Sequence, residues 1–198
     1  MSVAGLILSA GESRRMGSPK ALLRRNGMNP PRGETFLDGL IARFSEVCAP
    51  VIVVLGHSEA EIRAGIRLTD EAVFVTNPNY RLGQLSSMQC GLRAMPEAAE
   101  GALFTLVDHP RVHAETLRRL LAEPRAEIVK PRYEGRSGHP VFFARSLFPE
   151  FLALPPDRQA RDVVRGHGAG TRFVDVNDPG ILDDIDDPEA YQRLLAAV

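Results

Sequence analysis

Short, almost continuous apolar runs recur along the chain at Val3 to Ser9, Val51 to Leu55, Ala72 to Val75, Ala102 to Val107 and Ile128 to Val129, then at Val141 to Phe143 and Phe173 to Val174. Runs of this kind predict strands buried on both faces of a parallel sheet, because a half-exposed strand would alternate apolar and polar positions. Between them, apolar residues fall at helical spacing: Phe36, Leu37, Leu40, Ile41 and Phe44, then Met88, Leu92 and Met95, then Leu117, Leu120 and Leu121. Strand and helix alternate, which predicts an α/β fold with a mostly parallel central sheet and helices on both faces. In such sheets ligands bind beyond the carboxyl ends of the strands.

Two segments have turn composition without an apolar period. Arg24 to Glu34, with Asn26, Gly27, Asn29, Pro30, Pro31 and Gly33, reads as a mobile loop, and Tyr133 to Pro140, with Gly135 and Gly138, reads as a second loop. No internal repeat or linker-like tract interrupts the chain. With 198 residues and 44% apolar content, it is expected to form one domain over residues 1–198.

Charge narrows the function. A net charge of -1 offers no basic field to hold a phosphate backbone or an anionic membrane, so neither nucleic acid nor membrane is an expected partner. Cys48 and Cys90 stand far apart with no metal-ligand spacing, which fits a reducing compartment. The first apolar run is shorter than a signal-peptide core and no run has transmembrane length, so a cytoplasmic location is expected. Lys20 and Lys130 are the only lysines, the other cationic side chains being arginines.

The loop after the first strand gathers Gly11, Gly17, Arg14, Arg15 and Lys20. Glycines let backbone N–H groups approach phosphate oxygens, and Arg and Lys supply charge and directed donors, so the loop suits a polyphosphate. It is not a Walker A loop, since Ser18 and Pro19 separate Gly17 from Lys20, and it lacks the G-x-G-x-x-G spacing of dinucleotide sites. Asp108, followed by His109 and Pro110, ends the fourth apolar run. Near the C-terminus, Asp183, Asp184, Asp186 and Asp187 precede a final helix, with Asp187-Pro188 reading as an N-cap and proline at N1. Four aspartates exceed the needs of one cap, and their repulsion implies a nearby cation, for which Mg²⁺ is the natural choice.

The group Leu8-Ser9-Ala10-Gly11-x-Ser13-x-Arg15-Met16-Gly17-x-x-Lys20 resembles the signature of the molybdenum cofactor nucleotidyltransferase family. That resemblance implies a Rossmann-like three-layer nucleotidyltransferase fold, with Leu8, Ala10, Gly11, Ser13, Arg15 and Lys20 around a nucleoside triphosphate and Arg15 and Lys20 on its phosphates. It assigns Arg14, at a variable position, less. It also implies that Asp108 and Asp186 jointly hold Mg²⁺, with Asp184 in reserve. The block Asn77-Pro-x-Tyr80-x-x-Gly83-x-x-Ser86-Ser87 is similar to the family segment lining the base and ribose, which adds Gly83 and Ser87.

Gly138-His139-Pro140 and Ala10 are similar to the cytidylyl branch, which implies CTP as donor and molybdopterin as acceptor, with a molybdoenzyme as client. His139, with Lys130 ending the preceding strand, is expected on the acceptor side. The chain departs from the branch at His109, where glutamine is common, and at His167, where an acid is often found. Rival readings are a sugar- or alcohol-phosphate nucleotidyltransferase and a non-catalytic nucleotide-binding chaperone for molybdoenzyme maturation.

Overall fold

The computed structural model describes residues 2–24, 34–123 and 126–196. Apart from its two ends, the expected Arg24 to Glu34 loop lies outside the described residues. β1 (Val3–Ser9) and β2 (Val51–Leu55) are buried along their whole length. β1 lies between β2 and β4 (Gly101–Leu106), parallel to both, and β2 pairs in parallel with β3 (Val73–Thr76) at the edge. Apolar continuity along β1 follows from this position: Ile7 enters the core on one face, Leu6 and Leu8 the core on the other.

Beyond β4 the sheet becomes mixed. β7 (Val141–Ala144) runs antiparallel to β4 and to β5 (Ile128–Tyr133), and β5 pairs in parallel with β8 (Thr171–Asp175). With β6 (Arg136–Ser137) the sheet has eight strands in the order β3-β2-β1-β4-β7-β5-β6, β8 pairing with β5.

Helices complete three layers. α1 (Phe36–Ser45), α2 (Glu59–Gly65), α4 (Ala114–Leu121) and α7 (Pro188–Ala196) cover one face, burying Phe36, Phe44, Ile62, Leu117 and Leu194. α3 (Gln84–Arg93), α5 (Phe148–Ala153) and α6 (Ala160–Gly166) cover the other with Met88, Leu92, Phe151 and Val163. Phe36, Phe44 and Phe151 have no exposed surface, and burial of a side chain that size contributes about 2–3 kcal/mol. Among the described residues, no helix is long and apolar enough to cross a membrane.

The segment Tyr133 to Pro140, expected as a loop, contains a hairpin. Glu134 and Gly135 both have positive φ (48° and 78°), the geometry of a primed two-residue turn, and Tyr133 pairs with Arg136 across it. Gly138 is needed for a different reason. A Cβ there would lie 1.8 Å from the carbonyl oxygen of Ile181, in the short 3-10 turn Pro179–Leu182. That close approach lets the His139 N–H donate to the Ile181 carbonyl at 3.0 Å, tying the hairpin exit to the start of the acidic segment.

Candidate active site

The first loop leaves β1 at its carboxyl end, as an α/β sheet requires of a ligand site. Ser13 organises it from the left-handed region (φ 50°). Its carbonyl accepts from the Met16 and Gly17 N–H groups, and its Oγ accepts from the Lys20 N–H at 3.2 Å. The chain then enters the 3-10 turn Lys20–Leu22 with the Lys20 side chain turned inward, 11% exposed. A cavity of about 370 Å³ opens here, and Leu8, Ala10, Gly11, Ser13, Arg15, Lys20, Gly83, Ser87, Asp108 and Asp186 all line it. The sequence candidates for nucleotide binding thus meet in one space.

Asp108 and the acidic segment converge from opposite ends of the chain. The Ile185 N–H donates to the Asp108 carbonyl at 3.0 Å, so main-chain geometry holds the two segments together. One carboxylate oxygen from each of Asp108, Asp184 and Asp186 lies within 4.8 Å of the others. Lys20 Nζ sits between two of them, 3.0 Å from Asp108 Oδ2 and 2.5 Å from Asp186 Oδ1, and Arg15 donates to Asp186 Oδ2 at 2.6 Å. Asp187 stands apart from this cluster and caps α7, its Oδ1 accepting from the Ala190 N–H at 2.8 Å.

Electrostatics follow from that crowding. Burial alone would lower the Lys20 pKa, but the carboxylates of Asp108 and Asp186 reverse the effect and hold it above its ordinary value. The hydrogen bond from Lys20, with Arg15 behind it, keeps Asp186 below the usual carboxylate range. Asp184 has burial and two like charges against it, which push it up to about 6.

Tyr80, Gln84 and Ile62 also line the first cavity but were not among the sequence candidates for the site. Tyr80 did carry a signal, as the tyrosine of the Asn77-Pro-x-Tyr80 block. Asn77 itself is buried, and its Nδ2 donates to Ser86 and Ser87 Oγ at 2.9 and 3.0 Å. The Ser86 and Ser87 hydroxyls thus anchor α3 to the turn before it. At the rim, Glu12 pairs with Arg14 and, at 3.3 Å, with Arg81.

A second cavity, about 630 Å³, adjoins the first and shares Gly83, Gln84 and Leu106 with it. His139 and Lys130 line this one. His139 is no exposed turn residue: its ring packs edge-on against Phe104 and 4.6 Å from the ring of His109. Burial, with His109 beside it, pushes the His139 pKa down to about 3, so the ring is neutral. His109 is itself buried, and burial lowers its pKa. His167 lies elsewhere, bridging Glu127 and Glu150 at 3.1 and 2.6 Å.

Residues 5–171 match the model of the MobA-like NTP transferase domain. The chain belongs to that family. It is a nucleotidyltransferase of the MobA-like kind, and the resemblance read from the first loop holds. A protein of Mycobacterium avium named as a probable molybdenum cofactor guanylyltransferase is 31% identical over 90% of this chain and 83% of its own. The purine catabolism protein PucB of Bacillus subtilis is 28% identical over 98% and 96%. The crystal structure of Rv0371c from Mycobacterium tuberculosis superposes with a TM-score of 0.82 at 31% identity, covering both chains completely. The manganese complex of the same protein gives 0.78 at 29% identity, with the same coverage. The three-layer Rossmann-like architecture expected from the sequence is therefore the fold of this chain.

Proposed function

We propose that the chain transfers a nucleoside monophosphate from a nucleoside triphosphate, CTP in preference, to the phosphate of molybdopterin, with release of pyrophosphate. The observation that carries this reading is the cluster of Lys20, Arg15, Asp108 and Asp186 on the wall of one cavity that shares lining residues with another. Two reactants, one a polyanion, call for two adjoining spaces with the charge at the first.

The acidic cluster fits a divalent cation, Mg²⁺ in this reading. Its ligand atoms are hard oxygens, and Asp108 Oδ1 is buried without a hydrogen-bond partner among the described residues. Asp108 and Asp186 would hold the ion, with Asp184 beside them; when bound, it neutralises and orders phosphate oxygens. Arg15 and Lys20 exchange carboxylate for phosphate oxygens and stabilise the charge that builds during transfer. An oxygen of the acceptor phosphate forms the new bond to the α-phosphorus, and the bond to the leaving pyrophosphate breaks with its electron pair. Positioning supplies the catalysis, and no covalent enzyme intermediate is needed.

His139 and Lys130 serve the acceptor from the second cavity. A molybdoenzyme client and a cytoplasmic location accompany this reading. Support for CTP comes from Ala10, whose methyl group is buried on the first cavity's wall and crowds a purine more than a pyrimidine. A misplaced methyl is worth roughly 1–3 kcal/mol, so kcat/KM for CTP should exceed that for GTP by about tenfold or more. Pyrophosphate release with molybdopterin and each nucleotide measures this, and Ala10→Gly should narrow the gap. Equal values would remove the preference, and release with neither nucleotide would remove the reading.

A further inference from the structure

Three of the four carboxylate oxygens on Asp108 and Asp186 are already claimed by cations of this chain: Lys20 Nζ donates to Asp108 Oδ2 and Asp186 Oδ1, and Arg15 donates to Asp186 Oδ2. Asp108 Oδ1 is the one left without a hydrogen-bond partner among the described residues, and His109 Nε2 lies 3.9 Å from it. A small divalent ion bridging the two aspartates would need the oxygens between which the ammonium sits, at contact distances of about 2.0–2.1 Å. Two cations that close repel strongly, and a carboxylate oxygen pair can face only one of them. With Asp184 converging on the same point, the position is anionic enough to keep some cation there. Before triphosphate arrives, the chain supplies its own.

Lys20 can yield the position without movement of the backbone. Its N–H is tied to Ser13 Oγ and it opens the 3-10 turn Lys20–Leu22, so the main chain stays while the flexible four-carbon side chain rotates. Lys20 and Arg15 line the same cavity, and phosphate oxygens entering that cavity offer both cations new acceptors. Withdrawal of the two cations leaves the aspartate oxygens open.

We propose that Lys20 is an internal competitor for the divalent cation. Its ammonium holds the position between Asp108 and Asp186 until a triphosphate draws it onto phosphate oxygens, so that free metal binds weakly and metal with triphosphate binds well. This rests on the acidic cluster being the metal site, as argued above. If the ammonium is withdrawn for less than about a tenth of the time, free-metal affinity is about tenfold or more below that of the open site.

Mn²⁺ binding, followed by the electron paramagnetic resonance of the free ion, tests this without nucleotide and without turnover. Lys20→Met should bind Mn²⁺ about tenfold or more tightly than the wild type. Arg15→Met removes the same charge from an exposed partner of Asp186 and should gain no more than about threefold. Adding Asp186→Asn to Lys20→Met should abolish the gain, which locates the ion at the cluster. The wild-type chain gives a second reading that does not depend on how a variant folds. Lys20 and Lys130 are its only lysines, so acetylation with acetic anhydride followed by mass spectrometry reports each separately. Saturating Mn²⁺ should raise Lys20 labelling about tenfold, because a displaced ammonium loses the carboxylates that keep it protonated, and should leave Lys130 within about twofold. Equal gains in Lys20→Met and Arg15→Met, or Lys20 labelling that Mn²⁺ leaves unchanged, would overturn the competition and leave the metal site standing. Binding of Mn²⁺ by neither the wild type nor Lys20→Met would remove the metal site, and the competition with it.

Discussion

Lys20 Nζ lies 3.0 Å from Asp108 Oδ2, joining the loop after β1 to the end of β4 across 88 positions of sequence. Both side chains are largely shielded, 11% and 16% exposed, so the contact is not a solvated surface pair of small worth. With Asp186 on its other side, the ammonium is held at the cavity wall, where in the proposed reaction it would exchange carboxylate for phosphate oxygens and stabilise developing charge.

Replacing Lys20 by alanine should therefore lower turnover by about 10²–10³, the usual cost of one donor to developing charge. The fold should survive, because Lys20 fills no core position, but loss of a shielded cation between two carboxylates should lower the melting temperature by roughly 6–20 °C. Pyrophosphate release at saturating nucleotide and a melting curve read the two quantities. Wild-type turnover in the variant would take Lys20 out of the chemistry.

The acidic segment offers an internal control. Asp108→Asn or Asp186→Asn should weaken Mg²⁺-dependent binding of triphosphate by about tenfold or more, through loss of a charged oxygen ligand. Asp187→Asn should stay within about twofold, since its Oδ1 caps α7 and Asn caps about as well. Calorimetric titration with CTP at varied Mg²⁺ distinguishes them, and equal effects at positions 186 and 187 would show the wrong aspartate had been assigned.

Gly138→Ala should be costly although it adds a single methyl group. Its Cβ would need the space of the Ile181 carbonyl, and because that obstacle is main chain there is no flexible side-chain end to move aside. Overpacking of this kind costs about 3 kcal/mol, or roughly 6–12 °C in melting temperature for a chain this size. A melting temperature within about 2 °C of wild type would mean that the 3-10 turn can retreat freely.

His167 gives a pH dependence with a definite sign. The hydrogen bonds to Glu150 and Glu127 raise its pKa above the ordinary 6.5, so the folded state favours the protonated ring. The resulting stability is fully present below about pH 6.5 and is lost as pH rises through the raised native value. Compared with His167→Asn, the wild type should melt higher at pH 5.5, and the difference should vanish by pH 9. A gap that persists at pH 9 would mean that packing, not charge, is responsible.

Strands were the most legible part of the fold because β1, β2 and β4 are covered on both faces and therefore read as unbroken apolar runs. The direction of β7 was not legible, since an apolar run carries no polarity of chain. α2 and α6 escaped because each buries a single residue, Ile62 or Val163, too few to set a period. The lining of the first cavity could be read because most of its candidate residues cluster in one loop with distinctive spacing. The turn that carries His139 was legible through Gly138 and Pro140, but the ring's neutrality comes from Phe104 and His109, which tertiary packing supplies.

The main-chain bonds from Ile185 to Asp108 and from His139 to Ile181 hold the acidic segment by atoms that every amino acid except proline possesses. The path of this segment's backbone therefore does not hang on the side chains at positions 184 and 186, although Asp186 also pairs with Lys20 and Arg15. If the proposed metal centre forms here, exchanging either aspartate for histidine would trade a hard oxygen for imidazole and should shift its preference toward zinc or nickel. Mutational drift, or a protein engineer, could thus retune which ion the proposed centre would take one position at a time.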